Sequence, residues 1–405
     1  MPETGQRVTA SRVWALRRAI GQRLPLGARR WLVSRYGQAF HQWDRLSDLV
    51  GLTVRGWGEK PQVYLPHYRI KLHNIWRTYE THPPLRYTSY PLAALCHWIN
   101  AVPFPLRKAC VIECEHILAL AGDITRWEHG LHNLDSINRL VEHERCRFVF
   151  TYSAGLRDHS RRYLRSDLWP KFDYLYPCFP SQGEYPRPDP EPFTILSIAS
   201  RFSDKGIPEA LEAFRVLRDR HGARVRMIVV SQMVPADYPL PEGVVVYDTP
   251  RMSDSLKTRL FRSAHVLFIP CYSDSAVPIM EACAYGVPTI STHIHHDDEF
   301  VRDGVTGYLI EPPVYAYSEY YGTRWPTWGE FLADLEKMRD RGELQTVVDQ
   351  AVDRLEMMIS GGVDLVAMGR AARTLHAERF ASEVRNAELL GIYQDALNAR
   401  HYAVG

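Results

Sequence analysis

Glu281 is the one charged residue in the apolar run AVPIMEACAYGVP, residues 276–288. Ser275 is placed to cap a helix that begins here, and Pro278 is tolerated in its first turn. A carboxylate on such a helix accepts two hydrogen bonds, as binding the vicinal hydroxyls of a ribose requires. The alternative is a helix-surface glutamate that bonds its own backbone or a nearby arginine.

Two cations lie at the start of another predicted helix. Arg201 and Lys205 follow the apolar run TILSIA, residues 194–199. Two cations beside a helix start favour a diphosphate, because helix N-termini bind anions. The backbone amides of Ala276 and Val277 would face the same ligand. The alternative is a pair of ordinary loop charges that interact with solvent.

Histidines and carboxylates are concentrated in HIHHDDE, residues 293–299. Both are common metal ligands, but the capping of a short helix explains them better. No Asp-x-Asp occurs anywhere in the chain. We therefore expect no metal and no cofactor.

The elements around these residues alternate short apolar runs with amphipathic stretches. Strands are predicted at 194–199, 225–230, 244–247, 265–270, 288–291 and 307–310. Helices are predicted at 207–220, 253–264, 277–285 and 297–302. This order predicts a doubly wound parallel sheet, whose ligands bind in the loops at the carboxyl ends of the strands.

The first half of the chain has a weaker pattern. Strands are predicted at 62–65, 109–114, 148–153 and 173–176, and helices near 91–101 and 132–144. No glycine occurs between Gly58 and Gly122, which excludes a Gly-rich phosphate loop in the core of this half. No G-x-G-x-x-G follows a predicted strand, which argues against a dehydrogenase. Six prolines within residues 177–192 indicate an interdomain linker.

Composition limits the class of protein further. The net charge of +2 argues against a nucleic-acid partner, and no apolar run is long enough to span a bilayer. Seven scattered cysteines are typical of reduced thiols in the cytosol. Eight arginines and no acidic residue lie between Glu3 and Asp44. This basic segment is a helix that docks on its own domain, a surface for anionic lipid, or a targeting segment.

Three ordered stretches together resemble one known family. SRFSDKGIPEALEAF, SDSAVPIMEACAYGVPTIST and DEFVRDGVTGYLIEPP resemble the nucleotide-sugar domain of family 4 (group 1) retaining glycosyltransferases, which have the GT-B fold. RFASEVRNAELLGIYQDAL resembles the last helix of that fold. The resemblance implies two Rossmann-like doubly wound α/β domains that face a cleft, with a C-terminal helix that crosses back to the first domain. The implied boundaries are a domain at 1–178, a linker at 179–193, a nucleotide-sugar domain at 194–375 and the helix at 376–405.

The resemblance also implies roles for single residues. Arg201 and Lys205 neutralise the donor diphosphate, Glu281 holds the ribose, and the amides of Ala276 and Val277 bind phosphate oxygen. ACVIECEHILAL, residues 109–120, resembles the strand before the active-site histidine. This places His116 near the anomeric carbon, where it polarises or hydrogen-bonds the reacting group. A buried, structural histidine is the alternative.

Some positions depart from the family pattern. Ser273 stands where the family has a glutamate that contacts the transferred sugar, and Asp274 and Ser275 follow it. Either Asp274 reaches the sugar, or donor recognition differs, or the site has decayed. His296 replaces the second glycine of a common Gly-Gly pair. His296, Asp297 or Glu299 is expected to contact the donor, and the capping of a helix by this loop is the alternative.

The resemblance thus implies a metal-independent, hexosyltransferase-like enzyme that retains anomeric configuration through attack assisted by the leaving phosphate. Its partners would be a nucleotide-sugar donor and a glycan or lipid-linked acceptor. Residues 7–36 would bind an anionic membrane, which places the protein in the cytoplasm or on the inner face of the membrane. The alternatives are another sugar-nucleotide enzyme, such as an epimerase or a phosphorylase, and a degenerate scaffold that binds partners through the aromatic insertion at 314–328.

Overall fold

The chain folds into two compact units. The computed structural model describes residues 7–9, 63–64, 95–99, 106, 109–121, 133–185, 188–189, 191–231, 234–248, 252–316 and 326–398. One unit contains residues 180–378 together with the strand at 7–9. The other contains the described residues from 63 to 179 and from 379 to 398.

Each unit is built on one parallel sheet. The strands are β1 (Arg7–Thr9), β2 (Val63–Tyr64), β3 (Leu95–Ile99), β4 (Ala109–Glu113), β5 (Cys146–Thr151), β6 (Phe172–Tyr174), β7 (Phe193–Ile198), β8 (Val225–Val230), β9 (Val244–Asp248), β10 (Val266–Ile269), β11 (Thr289–Thr292) and β12 (Gly307–Ile310). The first sheet has the order β2-β3-β4-β5-β6, and the second has the order β1-β9-β8-β7-β10-β11-β12. Every strand pair is parallel.

Helices connect these strands and follow them. They are α1 (Leu134–Glu142), α2 (Ala154–Arg161), α3 (Ile207–His221), α4 (Asp254–Ser263), α5 (Ala276–Tyr285), α6 (Asp297–Phe300), α7 (Trp328–Asp340), α8 (Gln345–Ile359), α9 (Leu365–Leu375) and α10 (Ser382–Asn398). Shorter turns of 3-10 helix occupy Ile117–Ala121, Ser166–Lys171 and Gly222–Arg224, and a π turn occupies His376–Phe380. The alternation predicted for the second half of the chain is therefore confirmed.

The central strands are apolar because both faces of their sheet are covered. Strand β10, VLFI, is buried at every residue, and β8, VRMIVV, at all but one. Residues buried on both faces are typical of parallel sheets and give continuous apolar runs rather than alternation. This is why the sequence predicted the strands of the second sheet well.

The predicted helix near 91–101 is wrong. Residues 95–99, LCHWI, form β3, which pairs with β2 on one side and β4 on the other. Leu95, His97 and Trp98 are buried in this position. A short apolar run does not distinguish a buried strand from a buried helix by its periodicity, so tertiary pairing decided the outcome.

Helix α10 packs on the first sheet, as the resemblance implied. Its apolar residues Leu389, Tyr393 and Ala396 form one core with Leu95, Val111, Phe150 and Leu175. Arg385 on the same helix is also buried and donates to Glu113 Oε2 at 2.7 Å. The helix is thus fixed to the sheet by apolar packing and by a buried ion pair.

The extreme N-terminus differs from the predicted domain boundaries. Residues 1–178 were expected to form one domain, but β1 pairs with β9 at the edge of the second sheet. An edge position lets a distant segment join a sheet without disturbing the existing pairs. Most of the basic segment, residues 10–36, and residues 317–325 of the aromatic insertion lie outside the described residues. No helix among the described residues is long and apolar enough to cross a membrane.

Candidate active site

Three loops of the second unit meet at one edge of its sheet. They follow β7, β10 and β11, and they carry Arg201, Asp274 and His296. Neighbouring strands of a parallel sheet end at the same edge, where ligands of such sheets bind. Lys205 Nζ donates to the backbone oxygen of Asp274. The predicted cations and the predicted carboxylate loop are therefore neighbours.

A glycine sets the approach of the loop after β7. Gly206 has a φ of +66°, a left-handed conformation that favours glycine. A Cβ atom there would lie 1.9 Å from the backbone oxygen of Pro270. The loop thus passes directly against the end of β10, which brings Lys205 to the loop that carries Asp274.

Arg201 is held in place by an acidic partner that the sequence analysis missed. Its Nε lies 2.9 and 2.8 Å from the two carboxylate oxygens of Asp204. Its guanidinium also lies 4.8 Å from the centre of the Trp328 ring, which is a cation–π contact. The side chain keeps 31% of its surface exposed. Asp204 follows Arg201 by three residues. This spacing is the feature of the sequence that could have predicted the ion pair.

Ser273 completes this network. Its hydroxyl donates to Asp204 Oδ2 at 2.8 Å and lies 3.3 Å from Arg201 Nη2. Burial raises the pKa of Asp204, but the Arg201 hydrogen bonds lower it further, so its pKa lies below the ordinary value. The side chain of Ser273 is buried and directed to Asp204. Ser273, which stands where the resembled family has a glutamate, therefore helps to hold Arg201 in place.

The start of α5 is capped by Asp274 rather than by Ser275. Asp274 Oδ1 accepts from the amide of Ala276 at 3.0 Å. Ser275 makes no side-chain cap bond; its hydroxyl donates to Asp297 Oδ2 at 3.0 Å. The predicted cap is thus corrected by one residue. The Ala276 amide is engaged by this carboxylate, and Val277 follows it as the second residue of the helix.

Glu281 forms a buried ion pair. Its Oε1 lies 2.6 Å from Lys257 Nζ on α4, and both side chains are almost fully buried. The partner is a lysine, neither of the two partners weighed from the sequence. A buried pair of this kind is costly to break, because removal of one partner leaves an uncompensated charge. Tests of Glu281 must therefore include Lys257.

The histidine-rich loop places a buried imidazole between two carboxylates. His296 Nε2 lies 3.5 Å from Asp274 Oδ1 and 3.8 Å from Asp297 Oδ1. Burial lowers the pKa of His296, but Asp274, Asp297 and Glu299 raise it above the ordinary value. Burial raises the pKa of Asp297 to about 6. Glu299 lies on α6, where its amide donates to the His296 carbonyl oxygen at 2.9 Å.

This loop also turns through a conformation unusual for a non-glycine residue. His295, with a φ of +26°, precedes His296 and places it inward. His295 Nε2 is 2.7 Å from the backbone oxygen of Ala316. Among the described residues, no group of three or more histidine, cysteine, aspartate or glutamate side chains is arranged to hold a metal ion.

His116 lies in the first unit, immediately after β4. Its Nδ1 accepts from the Leu118 amide at 3.2 Å, and its Nε2 lies 2.9 Å from His159 Nδ1. Burial, with a contribution from Arg162, lowers the pKa of His159 to about 4. His159 is therefore neutral near pH 7. These bonds match the structural interpretation of His116, and its role near the reacting carbon stays a prediction.

The comparisons with known proteins agree with this arrangement. Residues 183–320 match the family model described as "Glycosyl transferases group 1". This stretch is similar to group 1 glycosyltransferases. It contains Arg201, Lys205, Glu281 and all three loops of the candidate site. No curated protein sequence matches the chain.

Solved structures establish the fold. Anabaena HepE in complex with UDP is similar at 12% identity and a TM-score of 0.53, over 89% of this chain and 97% of that one. A glycosyltransferase from Rickettsia africae ESF-5 is similar at 13% identity and a TM-score of 0.51, over 86% and 85% of the two chains. TarM, at 11% identity and a TM-score of 0.46, is covered over 53% of its length. The GT-B fold implied by the three sequence stretches is confirmed.

Proposed function

We propose that the protein is a retaining glycosyltransferase that moves a sugar from a nucleotide-sugar donor to an acceptor hydroxyl. One observation carries the proposal. Two cations meet the loop after β10 at the ligand-binding edge of a parallel sheet: Arg201 lies against the Ser273 hydroxyl, and Lys205 donates to the backbone oxygen of Asp274. This edge lies within the residues that match group 1 glycosyltransferases. The charges suit a diphosphate that is joined to a hydroxyl-rich group.

The cations act on the leaving group. In the reaction the bond between the anomeric carbon and a diphosphate oxygen breaks, and negative charge develops on that oxygen. Arg201 and Lys205 stabilise this charge, and the N-terminus of α5 at Val277 adds a positive dipole end. Asp204 fixes the guanidinium of Arg201 before the donor binds, so little reorganisation accompanies the reaction.

Glu281 is proposed to bind the ribose of the donor. Lys257 engages Oε1 of the carboxylate, and Oε2 would accept from a ribose hydroxyl. The amine restricts the rotation of the carboxylate. The pair therefore holds Oε2 of Glu281 ready to accept a hydrogen bond, among the apolar residues of α5.

Retention follows in this proposal from attack on the face that the diphosphate leaves. The acceptor oxygen forms the new bond to the anomeric carbon, and its proton passes to the leaving phosphate oxygen. His116 is proposed to polarise or hydrogen-bond near the reacting carbon. Neither a metal nor a cofactor takes part in these steps.

The acceptor is proposed to be a glycan or a lipid-linked glycan. Residues 7–36, with eight arginines, are proposed to bind anionic lipid at the inner face of the membrane. Sedimentation with anionic vesicles tests this part, with the intact chain and with a variant that lacks residues 10–36 but keeps β1. If the deletion changes neither vesicle binding nor transferase activity, this part of the proposal is contradicted.

Release of nucleoside diphosphate tests the proposed activity. The purified protein is incubated with UDP-, GDP-, dTDP- and ADP-sugars, alone and with candidate glycan acceptors. We expect turnover of one donor class, and a kcat/KM about 10- to 100-fold lower both in Glu281→Gln and in Lys257→Met combined with Glu281→Met, since a hydrogen bond to a charged group contributes about 1.5–3 kcal/mol. Glu242→Gln is the control, because Glu242 is exposed and pairs only with Arg218 among the described residues.

A nucleotide-binding scaffold without transferase activity is the second candidate. Arg201 and Glu281 already have internal partners, Asp204 and Lys257, so their charges are balanced without a ligand. Nucleotide binding without turnover of any donor, across the acceptors tested, favours the scaffold. Turnover that depends on Glu281 excludes it.

A further inference from the structure

We infer that Asp274 is the carboxylate that accepts a hydrogen bond from a hydroxyl of the donor sugar, and that the buried side chains of His296 and Asp297 position it. The inference rests on the proposed function. It concerns the sugar, whereas Arg201, Lys205 and Glu281 concern the nucleoside diphosphate.

The first step is that Ser273 is occupied. Its hydroxyl is buried and donates to Asp204, which in turn holds Arg201. A sugar hydroxyl would have to displace this network to reach Ser273. Position 273 therefore supports the diphosphate side of the site rather than the sugar.

The second step is that Asp274 is accessible and oriented. Its side chain is 53% exposed, in contrast to the buried residues on either side of it. The Ala276 amide holds Oδ1, while Oδ2 makes no hydrogen bond with the described residues. Lys205 donates to the backbone oxygen of the same residue. A free carboxylate oxygen thus lies directly beside the proposed diphosphate site, where the sugar of a donor must be.

The third step is that buried polar atoms next to Asp274 lack hydrogen-bond partners among the described residues. Both ring nitrogens of His296 and Oδ1 of Asp297 are buried and have no hydrogen-bond partner among the described residues. Buried polar atoms without partners are rare and require an explanation. Asp297 Oδ2 is fixed by Ser275 and Ser291 at 3.0 and 2.9 Å, so this carboxylate cannot turn away.

These atoms form a positioning chain. His296 lies between the fixed Asp297 and the exposed Asp274 and can donate to either from Nε2. Its positive charge favours the ionised form of Asp274 and holds Oδ1, which leaves Oδ2 directed to the ligand. Burial of the His296 ring without hydrogen bonds to the described residues costs free energy. In this inference that cost is retained because the ring orients Asp274 for a sugar hydroxyl.

Paired titrations test this inference. The wild-type protein, Asp274→Asn, His296→Gln, His296→Phe and the exposed control Asp298→Asn are titrated with a nucleoside diphosphate and with its nucleotide sugar. We expect Asp274→Asn to raise the Kd of the nucleotide sugar about 10- to 100-fold and to leave the Kd of the diphosphate unchanged or lower, because the variant removes a negative charge beside the diphosphate. Asparagine keeps the oxygen that caps α5, so the fold is retained.

The His296 variants separate positioning from packing. His296→Phe should weaken nucleotide-sugar binding selectively, and His296→Gln, which still donates, should restore part of it. In the wild type, the preference for the nucleotide sugar over the diphosphate should fall as pH rises and His296 loses its proton. The groups that face His296 are Asp274, Asp297 and Glu299, with Lys205 beside Asp274. His296→Gln should show no such pH dependence.

Other outcomes overturn the inference. If Asp274→Asn changes both Kd values equally, or changes neither, Asp274 does not bind the sugar. If the phenylalanine and glutamine variants behave alike at every pH, His296 only packs. If the wild type binds neither ligand, the proposed function fails and this inference fails with it.

Discussion

Replacement of Arg201 by alanine should lower the kcat/KM of donor turnover about 100- to 1000-fold, as the loss of one preorganised donor to a developing charge typically does. The guanidinium is fixed by Asp204 and by the Trp328 ring before any ligand binds. Its removal costs the site both the charge and this preorganisation. Rates of nucleoside diphosphate release measure the effect.

A second variant separates the activity from the fold. Arg201→Ala leaves Asp204 buried and unpaired, which destabilises the protein as well. Arg201→Met combined with Asp204→Asn removes both charges and should recover stability without recovering turnover. Arg215→Met is the control, because Arg215 on α3 pairs only with Glu212 among the described residues. Wild-type turnover in the double variant would show that Arg201 serves Asp204 rather than the donor.

Replacement of Arg385 by methionine should lower the free energy of unfolding by about 3–5 kcal/mol, the cost of leaving one member of a buried pair uncompensated. Arg385 donates to Glu113 and to the backbone oxygens of Leu175 and Tyr176. Glu113 also lies 3.3 Å from His97 Nε2. Removal of the guanidinium leaves a carboxylate and two carbonyl groups without this donor, all inside one unit.

Denaturant unfolding of the intact chain measures this loss. Arg139→Met, at an exposed position of α1, should change stability by less than about 0.5 kcal/mol. In the double variant with Glu113→Gln, the two effects should not add, since the partners share one interaction. A loss below about 1 kcal/mol for Arg385→Met would mean that apolar packing alone fixes α10.

Local sequence patterns predicted most of the second sheet because its central strands are buried on both faces. The apolar runs that form β7, β8 and β10 are short, and charged helices or turn residues flank them. Their length and flanks therefore indicate strands rather than helices. The first sheet was harder. The strand LCHWI lies within the run LAALCHWINAV, residues 92–102, whose alanines and leucines favour a helix, and it was taken for one.

The candidate site was predicted in its residues more than in its contacts. Arg201 and Lys205 were found because their loop follows a predicted strand, and Glu281 because it is the one charged residue in an apolar run. Lys257 was missed because it lies 24 residues from Glu281 on another helix, and only the packing of α4 on α5 brings the pair together. The cap by Asp274 was missed because Ser275 and Asp274 are both good caps, and the bond from Ser275 to Asp297 depends on the fold.

We propose that this edge of the second sheet binds a nucleotide-sugar donor. Its most direct test is a thermal-shift panel of UDP, GDP, dTDP, ADP and their sugars on the wild-type chain, Glu281→Gln and Lys257→Met combined with Glu281→Met. A ligand at about 100 times its Kd stabilises the folded state by roughly 2.7 kcal/mol, which raises Tm by a few degrees. We expect one nucleotide family to raise the Tm of the wild type and to leave the Tm of both variants unchanged. The double variant loses the shift although it leaves no charge unpaired. The absence of a shift with every ligand, or an equal shift in all three proteins, would contradict it.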